Sequence, residues 1–192
     1  MTFRKVLKWP DKLLKKKSAS ASLDDNSVIE DLLDTFRVIG GYGLSAPQIG
    51  FQKRIVVINE LALTGVEGSQ EERVLINPEI IDFSNSTSFE ESCFSIDKAF
   101  LEIDRYEKIK VSYTSIDGKK DMLEAKGYHA ACIQHEIDHL DGILMIDRLS
   151  PLRRSMFLKK QKKNKLRKKR FKESLKKEDT RPGFRKRKRN AN

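Results

Sequence analysis

His135-Glu136-Ile137-Asp138-His139 is an H-E-x-x-H pentapeptide. On a helix, the four-residue spacing puts both imidazoles on one face, one turn apart, which is the geometry of a divalent-metal chelate. Glu136, beside the first histidine, is placed to take a proton from an activated water and pass it to a leaving nitrogen. The third histidine, His129, lies off this spacing and reads as ordinary surface or core. A catalytic metal site takes three protein ligands and keeps one position open. The third ligand must come from elsewhere in the chain, and Cys93 and Cys132 are the candidates. Cys132 precedes His135 by less than one helical turn, where a ligand would crowd the chelate, so it reads as packing near the metal. Cys93 lies in the polar stretch Glu90-Glu91-Ser92-Cys93-Phe94-Ser95-Ile96, expected at a sheet edge or loop, and is favoured.

The elements that must position these residues are partly visible. Residues 127–140 have helical periodicity and stop at Asp141-Gly142, a good C-terminal glycine. Residues 23–37 carry Val28, Ile29, Leu32, Leu33 and Phe36 at helical spacing behind the cap candidates Asp24, Asp25 and Asn26, and end at Gly40-Gly41. Residues 54–59 and 73–77 are short β-branched runs, and residues 108–115 alternate before a turn at Asp117-Gly118. The pattern predicts an α+β fold in which antiparallel β-sheets surround a central metal-binding H-E-x-x-H helix, followed by a basic C-terminal helix.

The chain has 192 residues, enough for one domain with a real core. No apolar run approaches the roughly 18 to 20 residues that span a bilayer, and the start lacks an apolar stretch ahead of a cleavage site. We therefore expect a cytoplasmic protein made at full length, without membrane association. Two cysteines make no disulfide framework. The net charge of +11 is unevenly spread: residues 151–192 hold 20 Lys+Arg and 3 acids, leaving 19 and 25 for residues 1–150. A mildly acidic catalytic domain, 1–150, thus precedes a cationic segment, 151–192. That segment begins as a helix in which Leu152, Met156, Leu158, Leu166, Phe171 and Leu175 are sparse, and its end, from Arg181-Pro182-Gly183, is expected to be disordered. Such charge density points to a polyanion read as phosphate rather than as sequence.

Three segments resemble the peptide deformylase family. Gly41-Tyr42-Gly43-Leu44-Ser45-Ala46-Pro47-Gln48 is similar to G-x-G-L-A-A-x-Q, Glu91-Ser92-Cys93-Phe94-Ser95 to E-G-C-L-S, and Gln134-His135-Glu136-Ile137-Asp138-His139-Leu140-Asp141-Gly142 to Q-H-E-x-D-H-L-x-G. The likeness runs from Val6-Leu7 and Pro10-Asp11, through Leu75-Ile76-Asn77-Pro78, to Leu149-Ser150-Pro151-Leu152. It implies hydrolysis of the N-formyl group from the formyl-methionine of nascent polypeptides, releasing formate. It further implies a single Fe2+ ion, with Zn2+, Ni2+ or Co2+ as substitutes, held by Cys93, His135 and His139. Glu136 would be the general acid/base in attack by the metal's water ligand. The Gln48 amide and the Phe94 backbone N–H would receive the oxyanion. Tyr42, Gly43, Leu44, Glu91, Tyr128, Ala131 and Cys132 would bind substrate. Related bacterial enzymes carry a basic C-terminal helix that associates with the ribosome, which makes ribosomal RNA the implied partner of the tail of a monomeric enzyme.

The departures from the family pattern are Ser92 for glycine, Phe94 for leucine, Asp97 for a common proline and Phe100 for a usual arginine. Tyr128 and Ala131 also differ, from leucine and from a larger aliphatic residue. Ser92 would be strained if the backbone there requires positive φ. Altered peptide preference is expected, with activity retained. A zinc endopeptidase shares H-E-x-x-H alone, but this chain lacks a further His or Glu ligand in a metalloprotease pattern. A ribonucleoprotein-binding module with a vestigial site is the third reading, prompted by the tail.

Overall fold

The computed structural model describes residues 2–60 and 71–179. The chain divides into two compact units, Met1–Arg148 and Leu149–Asn192. In the first unit, α1 (Asn26–Ile39) precedes β1 (Gly43–Ser45), β2 (Ile55–Asn59), β3 (Glu72–Cys93), β4 (Ile96–Thr114), β5 (Lys120–Lys126) and α2 (Tyr128–Leu140). The second unit contains α3 (Pro151–Asp179).

The described strands form one sheet in the order β1-β2-β3-β4-β5, antiparallel throughout. This corrects the expectation of several sheets. β3 and β4 pair as one long hairpin, and register shifts at Ile76/Glu79, Ile80/Asp82 and Glu91/Cys93 let the ladder bend without breaking. Most of β3 carries no sequence signal because residues 81–88 are exposed and rich in Ser, Asn and Thr. Its pairing with β4, from Asp82↔Lys110 to Ser88↔Asp104, holds it extended instead of burial.

β2 explains the layering. All five of its residues are buried. Ile55 and Val57 share a core with Val28, Ile29, Leu32 and Phe36 of α1, while Val56 and Ile58 share one with Ala130, Ile133, Ile137 and Leu140 of α2. At β2 the sheet is therefore covered on both faces, and a strand covered twice reads as a continuous apolar run. Ile133 and Leu140 are fully buried. Each contributes about 1.5–3 kcal/mol, which anchors the apolar face of α2 and fixes where its polar face points.

The ends of α2 are set by glycines. Gly127 precedes it at φ 59, and Gly142 follows at φ 70. A Cβ on residue 142 would lie 2.6 Å from the Lys15 carbonyl oxygen, so the chain can pass there only over glycine. The Ser18 N–H also donates to Leu140 O at 2.7 Å, tying the N-terminal segment to the end of the helix.

In α3, Pro151 opens the helix and Ser150 Oγ accepts from the Arg153 N–H at 3.4 Å. Leu152, Met156, Leu166 and Phe171 are exposed. The end expected to be disordered, residues 181–192, lies outside the described residues. Among those described, no helix is long and apolar enough to cross a membrane.

Candidate active site and metal centre

One face of α2 presents Tyr128, Ala131, Cys132, His135 and Glu136 to a cavity of about 590 Å³. Gly41–Gly43 and Gln48 close it on one side, and the end of β3 with Phe94 closes it on another. Cys93, His135 and His139 come together here, with their ligand atoms all within 4.8 Å of one another. Cys93 Sγ lies 3.3 Å from His139 Nε2, and the two imidazole rings are 4.9 Å apart. Cys93 is the last residue of β3, beyond the Glu91/Cys93 register shift, and such an irregularity re-aims a side chain. Cys132 is outside the cluster.

His135 is oriented from behind. Its Nδ1 lies 2.8 Å from Glu91 Oε2, which leaves Nε2 for a ligand. Arg105 grips the same carboxylate through Nε at 2.6 Å and Nη2 at 3.0 Å, and reaches Asp138 through Nη1 at 2.6 Å. Arg148 donates two further hydrogen bonds to Asp138. Two buried carboxylates are thus balanced by the buried Arg105 guanidinium and by Arg148, which reaches in from a half-exposed position, the condition under which buried charge is tolerated. Burial alone would raise the Glu91 carboxyl, but the hydrogen bonds from His135 and Arg105 override it and hold it at about 2. Glu91, expected at the substrate, lines the cavity with both oxygens already engaged.

Glu136 is 3% exposed, and its Oε2 has no hydrogen-bond partner among the described residues. Burial pushes its carboxyl up to about 7, where a group both accepts and releases protons near neutrality. Burial likewise pushes the Cys132 thiol up, helped by the Glu136 carboxylate. Gly43 is required beside them, since a Cβ on residue 43 would lie 2.9 Å from Glu136 Cγ and 3.1 Å from Cys132 Sγ.

Gln48 sits in a 3-10 turn, Ala46–Ile49, and is 1% exposed. Its Oε1 accepts from Ser45 N and Ser45 Oγ, both at 2.9 Å. That fixes the amide, so Nε2 faces Ser95 Oγ at 3.3 Å and Cys93 Sγ at 3.7 Å. The Phe94 carbonyl accepts from Lys8 Nζ, and Asp97 pairs with the same ammonium at 3.0 Å. The larger Phe94 ring is accommodated because residue 41 has no side chain: a Cβ there would lie 2.7 Å from Phe94 Cζ.

The other expected substrate residues divide. Tyr42 and Tyr128 are exposed at the cavity, and Tyr128 meets Phe89 edge-on at 5.1 Å. Leu44 is fully buried in the core against α1 and does not line the cavity. Phe100 is exposed and does not line the cavity. Ser92 is not among the non-glycine residues with positive φ, which are Asn77, Asn85 and Lys98, so the strain anticipated there does not arise.

Sequence reasoning missed Arg105, Asp138, Arg148, Ser45 and Phe89. One signal was present. Arg105 stands in phase with Ile103 and Ile109 on β4, at a position where strand alternation calls for an apolar side chain. A charge in that phase must be paired inside.

The sequence pattern of the polypeptide deformylase family matches residues 3–155. A peptide deformylase of Pelagibacter ubique (strain HTCC1062) is 40% identical over 164 residues, covering 83% of this chain and 94% of that protein. The fold is similar to the crystal structure of a peptide deformylase from Legionella pneumophila, with a TM-score of 0.77 and 37% identity over 88% of this chain and 99% of that one. It is also similar to the peptide deformylase from Ehrlichia chaffeensis in complex with actinonin, with a TM-score of 0.75 and 33% identity over 85% and 98% of the two chains. The matched span contains the Cys/His/His cluster and all the residues that line its cavity, and the chain belongs to the polypeptide deformylase family.

Proposed function

We propose that this chain removes the formyl group from the formyl-methionine at the start of nascent polypeptides, using Cys93, His135 and His139 as ligands of one divalent metal ion. The observation that carries this reading is the gathering of these three donors, two of which, Cys93 and His135, line the same cavity as Glu136 and Gln48. One sulfur and two imidazole donors suit Fe2+, our choice of resident ion, and equally Zn2+, Ni2+ or Co2+. The unpartnered, buried Glu136 Oε2 fits a site that also receives water. When bound, the ion supplies Lewis acidity and lowers the pKa of water.

The protein supplies the rest. Glu136 takes the proton of the attacking water and delivers it to the departing amine, a role its carboxyl at about 7 permits in both directions. Gln48 Nε2 and the Phe94 N–H donate to the oxyanion formed at the formyl carbon. Ser45 already holds the Gln48 oxygen, which fixes the plane of the amide. β1 pairs with β2 along one edge only among the described strands, and its other edge, at Gly43 and Leu44, receives the extended peptide. Tyr42, Tyr128, Ala131, Cys132 and the backbone beside Glu91 surround the methionine side chain. A cavity of about 590 Å³ is of the size that holds such a ligand.

We further propose that residues 1–150 act as a monomeric, cytoplasmic catalytic domain, and that residues 151–192, with 20 bases and 3 acids, contact ribosomal RNA near emerging chains. Fe2+-loaded protein, kept anaerobic, should release formate from formyl-Met-Ala-Ser and leave its internal peptide bonds intact. Cleavage of those bonds without formate would instead establish the endopeptidase reading.

A further inference from the structure

We propose that Arg105 is a positioning residue of the metal site: through Glu91 it fixes the His135 ring, and Arg148 steadies the far end of the same chain of charges through Asp138. The inference rests on the reading of Cys93, His135 and His139 as metal ligands.

Arg105 comes from β4, Glu91 from β3, and Asp138 and His135 from α2, so one guanidinium joins the hairpin to the ligand-bearing helix. Its side chain is 1% exposed. Arg105 Nε and Nη2 take both oxygens of Glu91, which leaves that carboxylate one orientation. In that orientation Oε2 meets His135 Nδ1 at 2.8 Å, makes Nδ1 the protonated nitrogen, and turns Nε2 toward the cluster. His139 offers a contrast: its buried Nδ1 has no hydrogen-bond partner among the described residues. Of the two ligand imidazoles, His135 is therefore the one that Glu91 and Arg105 orient. Lysine cannot reproduce this, because an ammonium has no planar fork to hold two oxygens and reach a third group at once. Arg148 is the outermost member, with its side chain 40% exposed.

The test uses the full chain loaded with Co2+ and three readouts: the visible d–d bands, the rate of Co2+ loss to excess chelator, and the thermal midpoint of the metal-free protein. Arg105→Lys should lose Co2+ about 10- to 100-fold faster, with altered d–d bands. Arg148→Gln should move both readouts in the same direction by less. If both variants keep the parental bands and rate of loss while the thermal midpoint falls, the network only stabilises the fold and the inference is overturned. Should Arg105→Lys fail to fold, Arg148→Gln decides alone, and parental bands and rate in it overturn the inference. Failure of the parental chain to bind Co2+ would overturn the ligand reading itself, and this inference with it.

Discussion

Helix α2 buries His135, Glu136, Asp138 and His139 within a single stretch, whereas α3 carries a far denser charge in which the aliphatic side chains of Leu152 and Leu166 stand in solvent beside the lysines. In α2, His135 is paired with Glu91, and Asp138 with Arg105 and Arg148, while Glu136 is left without a charged partner and burial pushes its carboxyl up to about 7. Buried charge without such partners would cost several kcal/mol per ion, so the sequence around α2 is constrained residue by residue. In α3 the charges act as a collective field, screened within about 8 Å at physiological salt, and no one of them is decisive. Single substitutions should therefore act strongly at α2 and its contacts, while α3 should respond only to wholesale change.

The largest effect should come from the ligand set. Cys93→Ala should lose stoichiometric metal, and formate release with it, whereas Cys132→Ala should retain the ion. Metal counting on both variants distinguishes them, and full occupancy in Cys93→Ala would show that the β3 thiol is not a ligand. A smaller loss is expected for Gly43→Ala, where the new methyl lies 2.9 Å from Glu136 Cγ. Displacement of that carboxylate by a fraction of an ångström to one ångström should lower kcat/KM up to about 100-fold with the metal kept. An unchanged kcat/KM would mean that Glu136 does not need its observed place.

Removal of residues 151–192 should leave turnover of a short formyl-methionyl peptide nearly unchanged and abolish salt-sensitive co-sedimentation with ribosomes. Collapse of short-peptide turnover would make the tail part of the catalytic fold, and the contrast with α2 would fail. The smallest effect should come from His129, which is buried and held below 6.5 by desolvation. It is neutral in the fold, but the unfolded chain takes up its proton below about pH 6.5, so stability falls as pH drops through that value. His129→Gln should flatten this decline in denaturant titrations between pH 7 and 5, and an identical slope would mean that His129 titrates alike in both states.

The sequence was informative where chemistry follows local periodicity. H-E-x-x-H on a helix points to a divalent-metal chelate, and apolar spacing around it located α2 to within a residue of its observed bounds. It was silent where partners are distant in the chain. Nothing local marks residues 81–88 as strand, because their extension depends on β4 and not on an apolar face. Glu91 was assigned to the substrate only through the likeness of Glu91-Ser92-Cys93-Phe94-Ser95 to E-G-C-L-S. Only the fold brings Arg105 across the hairpin to occupy it. Gln48 was ordinary by sequence, since the Ser45 donors that aim its amide take effect only once the Ala46–Ile49 turn has formed.

The most direct test of the site as a whole is formate release and bound metal measured in one sample of Glu136→Gln. The carboxyl is assigned proton transfer and not ligation, so the variant should keep one metal ion per chain while formate release falls by about 10²- to 10⁴-fold. Release at the parental rate with the metal retained would contradict the account, because the proton would then travel by a group other than Glu136.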